Sequence, residues 1–425
     1  MKKLKVILIG AGSRGVGYTS NMAEKPDKFE VVAVAEPVEE RRLNIKNKHN
    51  IPDEMCFESW EAIFEKEKFA DVVLICTMDR DHLASALAAI DKGYDILLEK
   101  PATPTPEDCV TLRNAAKEKG VKILVCHVLR YTPFFMKIKE LITSGKLGRV
   151  ISIEHDECVG NVHQSHSFVR GNWGNSKRSS TMLLQKSCHD IDILQWLLDK
   201  KCKRVHSFGS TTYFTRENAP EGSPEYCYQG CPNADTCYYN AVKLYYDDKD
   251  NLWFRGAAAK KYHPTDEEVW EAITTTQYGK CVFKCDNDVV DHQVVNMEFE
   301  DGTLVNFNMC AFNFGGRHIR VMGTKGELVG EAGNKIMKFY DFATRKHEDI
   351  DTEATILGET VVSGHGGGDA GIVDALYNYL TGQCGPEGLS EIDISVDNHM
   401  ITFAAEESRL TGKVVDVEEF VKKYN

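Results

Sequence analysis

Three short stretches of this 425-residue chain hold side chains whose types and spacing suit chemistry. "TMLLQKSCHDIDILQWLL", residues 181–198, packs Gln185, Lys186, Cys188, His189, Asp190 and Asp192 into the start of an apolar, helix-like run. "LLEKPAT", residues 97–103, closes a strand-like run with Glu99, Lys100 and Pro101. "VILIGAGSRGVGY", residues 6–18, passes from a strand through Gly10-x-Gly12-x-x-Gly15 into a helix. Histidine and lysine both serve as positioned proton-transfer groups. A glycine triplet between strand and helix is the form that a dinucleotide pyrophosphate requires.

The glycine stretch is read as a cofactor site made by Gly10, Gly12, Ser13, Arg14 and Gly15. Glycines let the backbone approach a pyrophosphate, and the helix N-terminus favours its charge. Glu36 ends the second strand-like run, 21 residues beyond Gly15. Its carboxylate suits a ribose diol and repels a 2′-phosphate, which favours NAD. Arg41 and Arg42 follow closely and keep NADP as the lesser alternative. Thr77 and His82, after the strand-like "VVLICT", are assigned to the same crevice with Glu99, Lys100 and Arg130. Ligands of doubly wound sheets bind at the carboxyl ends of strands. Lys100 therefore lies beside the nicotinamide, where partial burial would suit it to proton transfer; a plain surface lysine at a strand end is the competing reading.

The elements that must position these groups follow from hydrophobic patterning. Residues 1–128 alternate near-continuous apolar runs with helix-length segments, the pattern of a Rossmann-type, doubly wound parallel sheet covered on both faces. Thr105 and Pro106 open one helix and Gly120 ends it. Residues 129–425 read as an α+β domain with a large, mainly antiparallel open sheet, hairpins such as "EDGT" (300–303) and few helices. "ISVDNHMITFAAEESRLTG" is a late helix stopped by Gly412. A net charge of −13 argues against nucleic acid and anionic membrane surfaces. The N-terminal apolar run is broken by Lys5 and reads as a strand, not a signal peptide, so a cytoplasmic protein is expected.

The glycine fingerprint, the Glu-Lys-Pro at 99–101, "LRYTP" at 129–133 and the 181–198 helix together resemble the Gfo/Idh/MocA oxidoreductases, the glucose–fructose oxidoreductase and inositol dehydrogenase family. The resemblance covers essentially the whole chain. It implies that Lys100 is catalytic and that His189 is the second proton-transfer group. The family helix carries an aspartate four residues before that histidine; this chain has Gln185, which cannot take a proton, with Lys186 beside it as a substitute donor. The departure implies a branch with its own substrate class. The resemblance also implies a homodimer or homotetramer built on the open sheet.

Two glycine-punctuated segments are expected to line a sugar pocket. "GNVHQSHSFVRGNWGN" (160–175) offers His163, Arg170, Asn172 and Trp173 as a loop; "SGHGGGDAGIVDAL" (363–376) offers His365 and Asp369. Polar forks and aromatic faces suit sugar hydroxyls and C–H faces. Among fourteen cysteines, Cys227, Cys231 and Cys237 cluster with a Cys-x3-Cys-x5-Cys spacing. That is not a paired Cys-x2-Cys frame; three thiolates could still hold zinc or an iron–sulfur centre with a distant fourth ligand, but a tight aromatic-lined loop is the favoured reading and no metal is assigned. The chain is thus expected to oxidise a secondary hydroxyl of a small-molecule sugar, glycoside or cyclitol with NAD, with C3 of a glycoside as the specific form. A redox glycosidase with tightly bound NAD and a non-catalytic NAD- and sugar-sensing regulator are the alternatives.

Overall fold

The computed structural model describes residues 2–352 and 365–424. Its first sheet contains β1 (Leu4–Ile9), β2 (Phe29–Ala35), β3 (Cys56–Phe57), β4 (Val72–Ile75), β5 (Asp95–Leu98) and β6 (Ile123–Val125). The order is β3-β2-β1-β4-β5-β6, and every pairing is parallel. All four residues of β4 are buried, because helices cover both faces. The chain direction through the sheet reverses between β1 and β4, and this switch point creates the ligand crevice. The helix Pro106–Lys119 begins as its sequence dictates: the Thr105 hydroxyl accepts the Asp108 N–H, and Gly120 ends it in a left-handed turn (φ 67°).

The second sheet contains β7 (Val150–Cys158), β8 (Cys202–Ser210), β9 (His292–Phe299), β10 (Leu304–Cys310), β11 (Gly316–Gly323), β12 (Gly326–Glu331), β13 (Ile336–Asp341), β14 (Lys346–Asp351) and β15 (Val415–Asp416). Its order is β14-β13-β12-β11-β7-β10-β9-β8-β15, antiparallel except where β10 meets β7. One face buries Ile153, His155 and Glu157 against the helix Cys188–Leu198. The other face carries exposed Phe208, Leu304 and Val329. The helix Ile392–Thr411 packs on β8, on Cys188–Leu198 and on Pro106–Lys119, and so joins the two sheets.

Two features depart from the sequence reading. Residues 161–170 form a helix instead of a loop, with its second part, Gln164–Arg170, wound as a wide π turn and wholly buried. Burial of Phe168 and Val169 drives it, and a Cβ on Gly171 would meet the His166 carbonyl oxygen at 2.7 Å, which explains the glycine that follows. Between β8 and β9 the chain also builds a helical insertion that includes Leu252–Ala259 and Asp266–Thr275, around a core of Tyr245, Phe254 and Ile273. Finally, the helix Gly368–Leu380 packs on Ser13–Ala23 and places Ile372, Val373, Leu376 and Tyr377 in the core of the first sheet. Residues 363 and 364 of the glycine-rich segment lie outside the described residues.

Candidate active site

Lys100 leaves the carboxyl end of β5, and its Nζ donates to the Gln185 carbonyl oxygen at 2.8 Å. Gln185 ends the short helix Met182–Gln185, and the next helix starts at Cys188, so His189 stands in its first turn close to the lysine. His189 is buried, and its Nδ1 has no hydrogen-bond partner among the described residues. Its ring centroid lies 6.3 Å from that of His365 and 5.8 Å from that of His127. Burial, with the charge of Lys100 second, holds His189 well below the usual histidine range. A neutral imidazole beside an ammonium group is the arrangement of a proton acceptor and an electrophilic donor.

Two ionic assemblies fix this pair. Behind His189, His127 stands 4.0 Å from Asp192, which Arg130 grips with two bonds of 2.6 and 2.7 Å. On the other flank, Lys186 pairs with Glu157 at 3.2 Å; Glu157 meets Arg317, and Arg317 reaches Asp190 at 2.7 Å. Asp190 also accepts from His155 at 2.8 Å. Burial alone would raise Asp190, but Arg317 and His155 hold its carboxyl well below the usual range. Lys186 is thus anchored by its ion pair with Glu157.

The crevice fits a dinucleotide. A Cβ on Gly12 would have nothing within 4 Å, whereas one on Gly15 would strike the Gly10 carbonyl oxygen at 2.2 Å. The helix Ser13–Ala23 starts with no side-chain cap and no acidic residue in its first turn, which suits a pyrophosphate. The Thr77 hydroxyl is buried with no protein partner. Glu36, at the end of β2, receives the Ala11 and Val38 N–H groups at 2.7 and 3.0 Å and keeps lone pairs for a ribose diol.

Several of the expected contact residues also make internal bonds. Arg14 directs its guanidinium inward, to Glu99 at 2.8 Å, to both oxygens of Asp369 at 2.8 and 2.9 Å, and to Tyr18 and His365. Glu99 accepts from Tyr18 and from the Lys100 N–H as well. Opposite charges placed together satisfy one another, so these side chains brace the crevice from within. His82 spans the carbonyls of Pro101 and Thr77 at 2.8 and 3.2 Å, and Arg130 is committed to Asp192. Asp369 and His365 form a 3.0 Å pair at the rim, with the His365 ring turned to His189.

The 160–175 segment divides. His163 is walled by Phe168 and Trp253, and burial followed by the nearby Lys186 charge depresses it well below the usual range. Trp173 packs on the main hydrophobic core, and Asn172 is exposed. Arg170 is fully buried, bonded to the carbonyls of Lys280 and Tyr239, and is not brought to the site. A residue without any sequence signal does reach the crevice: the Tyr262 hydroxyl, from the insertion, donates to the Ala11 carbonyl oxygen at 2.5 Å.

A switch-point crevice with a glycine cradle, opening on a lysine and a neutral histidine, defines a dinucleotide-dependent oxidoreductase. The chain belongs to the Gfo/Idh/MocA oxidoreductase family: the model of its NAD-binding Rossmann fold matches residues 4–127, and that of its C-terminal alpha/beta domain matches residues 139–387. It is 25% identical over 317 residues to YteT of Bacillus subtilis strain 168, a protein with an oxidoreductase name, across 72% of each chain. It is 25% identical over 217 residues to inositol 2-dehydrogenase of Salmonella typhimurium, across 51% of this chain and 59% of that one. An oxidoreductase domain protein from Kribbella flavida shares the fold at a TM-score of 0.72 with 16% identity, covering 98% of this chain and 100% of its own. An Agrobacterium radiobacter oxidoreductase solved with NAD+, L-tartaric acid and magnesium aligns at 0.70 with 12% identity, covering 98% and 99%. Among the described residues, no helix is long and apolar enough to cross a membrane.

Proposed function

We propose that this enzyme oxidises a secondary hydroxyl of a sugar, glycoside or cyclitol, with Lys100 and His189 as its proton-transfer pair. The observation that carries the reading is the unpartnered Nδ1 of a buried, neutral His189 close to Lys100 at the strand ends. Bound NAD supplies a hydride acceptor. His189 takes the hydroxyl proton, and Lys100 donates a hydrogen bond to the same oxygen and offsets the charge that develops on it. Gln185 holds Lys100 through its carbonyl, so the side chain at this position is released from proton transfer. Lys186, His163 and His365 supply polar contacts around the substrate ring. Oxidation at C3 of a glycoside is the specific form favoured here, because a keto group acidifies the neighbouring C–H and prepares loss of the aglycone.

A redox glycosidase draws support from Tyr262, which spans the cofactor loop and would slow exchange of NAD. Apolar Phe208, Leu304 and Val329 on the uncovered sheet face support a homodimer or homotetramer. The test is turnover of NAD with free sugars, inositols and glycosides, with aglycone measured in each productive sample. NADH formation with a keto product supports the dehydrogenase; aglycone release without NADH supports the glycosidase; tight NAD binding without turnover overturns both.

A further inference from the structure

The cysteine cluster of the insertion lies apart from the dinucleotide crevice. Cys227, Cys231 and Cys237 line a cavity of about 10 Å³, and the structure brings Cys281 to the same cavity from 44 residues beyond Cys237. The backbone explains the meeting. Tyr226 and Lys280 form an antiparallel bridge, with Cys227 N–H donating to Gly279 and Cys281 N–H donating to Glu225. Cys227 to Cys231 then turns tightly, the Gln229 N–H returning to the Tyr226 carbonyl. Such a space admits little more than a single ion or water.

Arg170 provides a second, independent observation. Its side chain is fully buried, yet its hydrogen-bond partners include no carboxylate: they are two carbonyls and the Cys227 sulfur, at 2.8, 2.6 and 3.8 Å, with the Tyr245 hydroxyl beside them. Its Nη1 is buried without a hydrogen-bond partner among the described residues. A buried guanidinium with no carboxylate is costly unless some other anion is present. The ionisable groups around it are the Tyr245 hydroxyl first, then the thiols of Cys227, Cys285 and Cys281, and of these the thiols are the ones a bound metal would convert to anions.

We propose that Cys227, Cys231, Cys237 and Cys281 bind one zinc ion as a structural tetrathiolate whose negative charge Arg170 offsets. Four thiols release four protons to solvent as their sulfurs bind one divalent cation, and the complex carries two negative charges, one of which the guanidinium balances. Among the described residues no three such side chains are already gathered on one point, so the four thiols that ring the cavity turn inward when the ion binds. Cys285 lies outside the cavity lining and serves as the control. The site ties the Tyr226 strand to the Lys280 strand and closes the insertion that delivers Tyr262.

The test uses the full chain, purified after growth with added zinc, dialysed and assayed for bound metal. One zinc per chain is expected, released in step with mercurial blocking of thiols, and cobalt taken up in its place should show thiolate charge-transfer bands. Cys237→Ser and Cys281→Ser should lose most of the metal, with Cys285→Ser retaining it. If the serine variants do not fold, the mercurial release on the unmodified chain decides alone. Fourteen titratable thiols and no metal after incubation with zinc would overturn the proposal, as would disulfides between these cysteines or iron with acid-labile sulfide.

Discussion

The guanidinium of Arg14 grips both carboxylate oxygens of Asp369, 355 residues away, at 2.8 and 2.9 Å. This fork ties the cofactor fingerprint to the glycine-rich turn that presents His365. Both partners are largely buried, so removing one strands the other. Arg14→Met and Asp369→Asn should each cost about 3–5 kcal/mol of stability, and the double variant should cost less than their sum. Denaturant unfolding of the four proteins measures the coupling; additive losses would show that the pair is not a unit.

Lys100→Ala and His189→Ala should each lower kcat/KM by roughly 10²–10⁴-fold while NAD still binds. Because burial keeps His189 neutral well below its usual range, activity should not fall with a midpoint near 6.5 as pH is lowered. A pH–rate profile with fluorescence-measured NAD affinity separates this role from a packing role.

Gly12 and Gly15 should respond differently to alanine. At Gly12 the added methyl enters open crevice, so the fold should hold while NAD affinity drops by about tenfold or more. At Gly15 it meets the Gly10 carbonyl oxygen, so thermal stability should fall as well. Melting curves with and without NAD distinguish the two.

Tyr262→Phe removes the hydroxyl that holds the Ala11 carbonyl and leaves the ring in place. A hydrogen bond of this kind contributes about 1 kcal/mol, so NAD should dissociate roughly fivefold faster. Stopped-flow release measures it; an unchanged rate would remove the retention argument for the glycosidase reading.

Acid should destabilise the fold before its carboxylates titrate. Burial places His166 and His399 at about 3, whereas unfolded histidine titrates near 6.5. Between those values the unfolded chain binds more protons, so stability is full above about pH 6.5 and declines as pH falls. Each histidine contributes up to about 1.4 kcal/mol per pH unit across that window. Unfolding free energies at pH 7.5, 6 and 5 should show the slope, and a flat profile would contradict it.

What the sequence conveys here is what short range encodes. Thr105, Pro106 and Gly120 mark a helix by their own backbone preferences, and Glu36 is found by counting from Gly15. The parallel sheet follows from apolar runs that need cover on both faces. Lys100 and His189 were reached by resemblance together with position. Tertiary charge pairing leaves no such trace: Arg130 meets Asp192 across 62 residues, and Tyr262 meets Ala11 across 251. The glycines around 160–175 suggested a loop, but the apolar residues between them wind a buried helix.

The return of Gly368–Leu380 to the first sheet has a consequence for biosynthesis. Ile372, Val373, Leu376 and Tyr377 complete that core, and the Tyr377 hydroxyl reaches back to the Lys2 carbonyl. While the ribosome is still making the large antiparallel sheet, the finished nucleotide-binding strands wait with an uncovered apolar flank. A nascent chain released early would carry that flank exposed, so truncation before residue 380 should yield a sticky substrate for chaperones, not a smaller working domain.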